Sequence, residues 1–238
     1  MTPALSNKVD AVAALLARVA STHAPAVLAS SFGVEDMVLI DVIARRHLPI
    51  DVFTLDTGRL PEETHVLIDR VRAHYDLPIL VYAPDALAIE DYVLTHGANA
   101  FYASLDLRER CCALRKSAPL ARALAGKRAW ITGLRRAQSI TRRDIAVEEF
   151  DERHRLAKFN PLADWSRDEV WAYVHGESVP YNALHDRGYA SIGCAPCTRP
   201  IEAGDDERAG RWWWEDAERR ECGLHRRPHH IAIAAVPA

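Results

Sequence analysis

No stretch of this 238-residue chain is long and apolar enough to span a membrane, and its N-terminus lacks the charged segment and apolar run of a secretory leader. Both absences point to a cytosolic protein. Cysteine is scarce and odd in number, five in all, which argues against a disulfide scaffold and for thiols kept for metal binding or catalysis. Bulk positive charge is missing as well. A net charge of −3 and a pI near 6.4 argue against nucleic-acid binding through overall charge. Internal repeats and low-complexity segments are absent, which sets solenoids and compositional linkers aside.

What is present suits one large α/β domain, since 49% apolar residues suffice for a proper core. Val9, Val12, Leu15, Leu16 and Val19 recur at helical spacing and predict an opening amphipathic helix. Short apolar runs then predict strands at Ala26–Ala29, Ile50–Leu55, Ile79–Tyr82, Arg128–Thr132 and Leu156–Leu162. Helices are expected between them, at Pro61–His74, Asp85–Leu94 and residues 104–125, with a last one from Ser166 to His175 opened by a Ser166/Glu169 capping box. Alternating strands and helices imply a parallel sheet covered on both faces, with ligands at the C-terminal ends of the strands. That rim carries Ser30, Ser31, Gly33, Glu35 and Asp36 after the first strand and Asp56, Thr57 and Gly58 after the second. Strand, Ser/Gly turn and helix form a phosphate-binding layout, because amides and hydroxyls at a helix N-terminus meet an oxyanion. The fourth strand runs into a basic loop with Arg135, Arg136, Arg142 and Arg143, whose guanidinium groups suit phosphate or sulfate. In isolation the same arginines also suit a plain solvated loop.

Four of the cysteines come in pairs, Cys111-Cys112 and Cys194-Ala195-Pro196-Cys197. Adjacent cysteines on a helix project about 100° apart and reach one small tetrahedral ion poorly. A four-iron four-sulfur cube offers separate corners to separate thiolates and is favoured over zinc. A redox-active CxxC and plainly buried thiols remain open. Cys222 stands alone among Arg219, Arg220, His225, Arg226 and Arg227, in a setting that lowers a thiol pKa, and is the candidate nucleophile. Gly204 onward reads as a flexible segment in which Trp212, Trp213 and Trp214 offer an anchor. Residues 1–203 are therefore expected to form the binding domain and 204–238 a mobile tail.

The motifs SSFGVED, LDTGRLPEE, CCALRK, GLRRAQSITRR, KFNPLADWS, GCAPC and ECGLH, in this order, resemble those of the assimilatory adenylyl-sulfate reductases, the cluster-bearing branch of the phosphosulfate reductase family. The resemblance runs from Ser30 to His225. It implies a fold like that of the adenine nucleotide α-hydrolases (PP-loop type), frequent homo-oligomers, and thiol-dependent conversion of adenosine 5'-phosphosulfate to sulfite and AMP. It also implies that Cys111, Cys112, Cys194 and Cys197 ligate a 4Fe-4S cluster and that Lys116 lies between cluster and substrate. Arg143, Arg208 and Arg211 would meet the phosphosulfate, and His225 follows the catalytic thiol. The chain departs from the family where members often read Ser-Phe-Ser-Gly, because here Phe32 directly precedes Gly33.

In the chemistry so implied, Cys222 attacks the sulfate sulfur, AMP leaves, and thioredoxin or glutaredoxin releases sulfite from the S-sulfonated thiol. Two alternatives stay open from sequence: a reductase for the 3'-phosphorylated nucleotide, and a zinc-stabilised RNA-binding or RNA-modifying protein on the same core.

Overall fold

The computed structural model describes residues 2–202 and 204–216. The expected strands form as β1 (Ala26–Ala29), β2 (Ile50–Leu55), β3 (Ile79–Tyr82), β4 (Ala129–Ile131) and β6 (Leu156–Phe159), joined by one not anticipated, β5 (Glu148–Asp151). Their order is β3-β2-β1-β4-β6-β5. All neighbours pair in parallel except β5, which runs antiparallel to β6. β5 escaped notice because Glu148-Glu149-Phe150-Asp151 has no apolar run. Charged residues on an outer strand keep that edge from pairing with another chain.

Side chains alternate across the sheet as pleating requires. Val27, Phe53 and Trp130 point to one face, where Leu120, Ala123 and Leu124 of α6 (Ala118–Leu124) cover them. Ala26, Leu28, Val52, Ile131 and Phe159 point to the other, under α1 (Pro3–Thr22), α2 (Val34–Arg45) and α7 (Arg167–Gly176). The capping box of α7 is present in both directions, Glu169 N–H to Ser166 Oγ at 3.1 Å and Ser166 N–H to Glu169 Oε2 at 2.8 Å. α3 (Glu62–Tyr75) joins this layer through a buried acid. Asp41, fully buried on α2, accepts hydrogen bonds from Tyr75 Oη at 2.7 Å, Tyr173 Oη at 2.6 Å and Arg45 Nε at 2.9 Å. One carboxylate thereby ties three helices.

The helical stretch expected over residues 104–125 forms, with one irregular turn inside it. α5 (Leu105–Cys112) passes into a wider π-type turn at Ala113–Ser117 before α6 begins, with Pro119 at its start. Such turns inside helices often mark functional sites. α4 (Ala86–His96) lies before them and buries only Tyr92. Among the described residues no helix is long and apolar enough to cross a membrane.

Candidate active site

From β1 the chain moves outward through β2 to β3, then returns to add β4 on the other side of β1. Strand order reverses there, and the connections leave a crevice at the C-terminal ends. A cleft of about 1340 Å³, open solvent at its mouth included, occupies that crevice. Ser30, Ser31, Gly33, Glu35, Asp36, Thr57, Lys116, Arg142, Cys194, Arg208 and Arg211 are the sequence-predicted residues that line it.

The loop after β1 is self-braced. Ser31 donates from both N and Oγ to Asp36 Oδ2, at 2.6 and 2.9 Å, and Phe32 N–H donates to Ser30 Oγ at 3.0 Å. The turn puts Phe32 at φ +58°, a region bulky side chains avoid, and burial of its ring to 1% exposure holds it there. Burial raises the Asp36 carboxyl to about 6, against the opposing pull of the Ser31 and Gly133 hydrogen bonds. Gly133, just after β4, has to be glycine: a Cβ there would stand 2.3 Å from Asp36 Oδ1. The first-turn amides of α2 behind Gly33 have no intrahelical acceptors and face this loop, as in anion-binding helix starts.

A second, smaller cavity adjoins. Cys111, Cys112, Cys194 and Cys197 all line it, together with Arg59, Phe101, Arg115, Lys116, Pro196 and Trp212. The turn at Ala113–Ser117 buries Arg115, whose Nη1 donates to Thr57 O at 2.6 Å. Thr57 Oγ1 lies 3.3 Å from Cys194 Sγ. Burial raises the Cys111 thiol and pushes Cys197 up to about 12, with the neighbouring Cys194 adding to the latter shift. Among the described residues no three His, Cys, Asp or Glu side chains gather as a single metal ion requires. Four thiols spread around one cavity, with three cations in its wall, suit a larger polynuclear group that takes them as thiolates. Lys116 and Cys194 belong to the walls of both cavities.

Residues 205–216 form a strap over this junction. The segment expected to be flexible packs here because its aromatic and charged side chains find buried partners. Trp212 is fully buried beneath Arg211, Arg108, Lys116 and Arg208, whose cationic groups lie 4.7, 5.1, 5.8 and 5.9 Å from its ring. Arg108 and Glu215 form a buried pair at 2.8 Å. Arg211 Nη1 donates to Ile192 O at 3.1 Å, and Gly193 admits this guanidinium, since a Cβ there would stand 2.3 Å from Nη2.

The remaining predicted residues lie elsewhere. Arg135 is buried between Glu35 and Glu207, Arg136 pairs with Asp164 and the Ile145 carbonyl, and Arg143 is exposed. None of the three lines the cleft. Asp56 is turned to its own loop, accepting from Gly58 N at 2.8 Å, and Gly58 sits at φ +67° against Arg115. Cys222 and His225 lie outside the described residues. Sequence reading missed His185 and Glu207, both in the cleft wall. His185 holds the Tyr189 carbonyl through Nδ1 at 2.7 Å, and burial lowers its pKa. Neither residue stands in a local pattern; only the fold brings them to the strand ends.

A cleft at the switch point of a parallel sheet, a braced Ser/Gly loop and cations in its wall define an α/β nucleotide-binding protein with a thiol-lined annex. Residues 25–200 match the model of the phosphoadenosine phosphosulfate reductase domain, and the chain belongs to that family. It is 54% identical over 226 residues to the adenosine 5'-phosphosulfate reductase of Allochromatium vinosum, covering 95% of this chain and 88% of that one. With the protein of the same name from Burkholderia cepacia it shares 52% over 238 residues, all of this chain and 94% of the other. Among solved structures, phosphoadenylyl-sulfate reductase from Candida auris, a phosphate complex, superposes with a TM-score of 0.69 at 27% identity, covering 84% of this chain and 98% of that one. Yeast FAD synthetase, at 12% identity and a TM-score of 0.57 over 83% of this chain and 67% of its own, shares the fold alone.

Proposed function

We propose that this protein reduces adenosine 5'-phosphosulfate to sulfite and AMP in sulfate assimilation. The observation that carries the reading is the shared wall: Lys116 and Cys194 join the cleft at the strand ends to the four-cysteine cavity. The names of the relatives at 52–54% identity support the same substrate.

In this reading the braced loop Ser30–Asp36 and the start of α2 receive anionic oxygens of the nucleotide, while Lys116, Arg142, Arg208 and Arg211 neutralise the phosphosulfate. The Cys222 thiolate attacks the sulfate sulfur. A bond forms from Cys222 Sγ to sulfur, the bond from sulfur to the bridging oxygen breaks, and AMP departs with that electron pair. AMP is a weak base, so the site has mainly to orient the groups and hold charge. A thiolate of an external dithiol, thioredoxin or glutaredoxin, then attacks Cys222 Sγ and displaces sulfite; its second thiol resolves the mixed disulfide. The dithiol supplies the two electrons. Cys222 serves both steps, first as nucleophile toward the nucleotide and then as the S-sulfonated thiol offered to the reductant, with His225 beside it in sequence. Cys111, Cys112, Cys194 and Cys197 are the residues to hold a 4Fe-4S cluster. When bound, such a cluster supplies fixed charge and rigidity beside Lys116. A homo-oligomeric, cytoplasmic enzyme completes the proposal, in the compartment where dithiol reductants stay reduced.

The test is sulfite release from adenosine 5'-phosphosulfate and from its 3'-phosphorylated analogue with thioredoxin, on anaerobically purified protein assayed for iron, sulfide and zinc. Expected are about four irons per chain, preference for the former nucleotide, and no turnover by Cys222→Ser. Zinc without iron, turnover confined to the 3'-phosphorylated nucleotide, or activity surviving Cys222→Ser would each overturn its part of the reading.

A further inference from the structure

Arg135 was expected to bind the substrate anion, yet its guanidinium is only 1% exposed and does not reach the cleft wall. Its Nε donates to Glu35 Oε1 at 2.9 Å and its Nη2 to Glu207 Oε2 at 2.6 Å. Glu35 belongs to the first turn of α2, beside the braced loop, while Glu207 directly precedes Arg208 on the strap. Both carboxylates line the cleft. The backbone of Arg135 is fixed in turn, its N–H donating to Gln138 Oε1 at 3.1 Å, the same oxygen that accepts from Arg142.

We infer that Arg135 is a positioning residue for this reaction, latching the strap that carries Arg208 and Arg211 to the start of α2 by bridging Glu207 and Glu35. A planar guanidinium can serve two carboxylates with separate edges, which an ammonium cannot do with the same geometry. At its far end the strap has a second latch, the buried Arg108 and Glu215 pair, and between the two its backbone is held by the Thr198 and Arg211 bridge. With both latches closed, Arg208 and Arg211 face the cleft at a fixed distance from the loop. With the first one open, the strap keeps its ties on the cysteine side and through Arg211 to Ile192 O, and Arg208, next to Glu207, loses its register over the nucleotide. The inference deepens the reductase reading, and only its kinetic arm rests on that reading.

The experiment compares hydrogen exchange and kinetics in full-length, cluster-loaded wild type, Arg135→Gln, Glu207→Gln and the double variant. In both single variants the amides of Ala209, Arg211 and Trp212, bonded to Asp206 O, Arg208 O and Cys197 O, are expected to exchange about tenfold faster. Peptides covering β1, β2 and β4 keep wild-type rates. The value of kcat/KM for the nucleotide falls on the order of 100-fold, mostly through KM, as for a displaced binding group. The double variant is no worse than either single one, because both break the same link. Arg135→Lys recovers only part of the loss. Unchanged strap exchange beside a raised KM would overturn the latch and make Arg135 a direct contact of the nucleotide. Equal acceleration across the sheet would also overturn it and make Arg135 a general scaffold residue. Should Arg135→Gln fail to fold, Glu207→Gln reads the same link from the strap side. If wild type releases no sulfite, the reductase reading falls alone, and exchange still decides the latch.

Discussion

Asp36 offers the sharpest test of how the anion loop is built. Its carboxyl sits under α2 with Ser31 and Gly133 donating to it, and burial nonetheless lifts it from 3.8 to about 6. At 1.36 kcal/mol per pH unit that gap corresponds to about 3 kcal/mol in all. The sign follows from linkage: a carboxyl raised in the folded state binds its proton more tightly there than in the unfolded chain. It stabilises the fold below pH 3.8, and that stabilisation is lost as pH rises through 6. Between pH 4 and pH 7 the loss amounts to about 2 kcal/mol. Asp36→Asn cannot titrate and lacks this slope, although its amide also gives up one backbone hydrogen bond at a cost of about 1 kcal/mol at every pH. Urea unfolding of both proteins at half-unit intervals over this range isolates the effect, since all other titrations cancel in the difference. Wild type should lose about 2 kcal/mol relative to Asp36→Asn on going from pH 4 to 7. A flat difference would refute the reasoning and show that the Ser31 and Gly133 hydrogen bonds outweigh burial.

Gly133→Ala drives a methyl into Asp36 Oδ1 and to 3.1 Å from Asp36 N; it should cost about 1–3 kcal/mol in denaturant unfolding and weaken nucleotide binding measured by calorimetry. Asp41→Ala leaves two tyrosine hydroxyls and Arg45 without their shared acceptor, a loss of about 3 kcal/mol in the same unfolding assay, with KM unchanged because Asp41 does not line the cleft. Lys116→Met removes a cation from the wall common to both cavities and should lower kcat/KM by about 100-fold while iron content per chain stays at the wild-type value; loss of iron together with activity would assign Lys116 to holding the cysteine cavity.

Five strands and most helices were legible because short apolar runs and a capping box carry them locally. β5 was not, since an outer strand needs no apolar face and its acids read as a loop. The π-type turn at Ala113–Ser117 was hidden for another reason: it keeps the chain helical on either side and changes only which residues follow the cysteines into the interior. That the Ser30–Asp36 loop, Thr57, Lys116, Arg208 and Arg211 would lie at the cleft was legible from motif and strand-end position. The arginine cluster 135–143 was not resolved into roles. Four guanidinium groups in one short stretch look equivalent in sequence, whereas here one meets two acids, one a surface aspartate, one solvent and one the cleft. Those differences depend on Glu35, Glu207 and Asp164, which lie far from the loop along the chain.

An anion has to enter a cleft whose wall carries three acids, Glu35, Asp36 and Glu207, and the protein quiets them in different ways. Glu35 and Glu207 share one buried guanidinium, that of Arg135, which offsets one of their two negative charges, and burial raises the Glu207 carboxyl above its ordinary range. Burial raises the Asp36 carboxyl to about 6, so its charge is more readily neutralised than that of an ordinary carboxylate. The field in the cleft is then set by its cations. Lys116 comes from the turn after the cysteine pair, Arg142 from the loop after β4, and Arg208 and Arg211 from the strap. Three separate pieces of chain must be in place together before that field exists. Two of these pieces, the turn and the strap, also wall the four-cysteine cavity through Lys116 and Trp212. Filling or emptying that cavity therefore acts on the same elements that hold three of the four cations, and coupling between cysteine cavity and nucleotide cleft needs no route through the solvent.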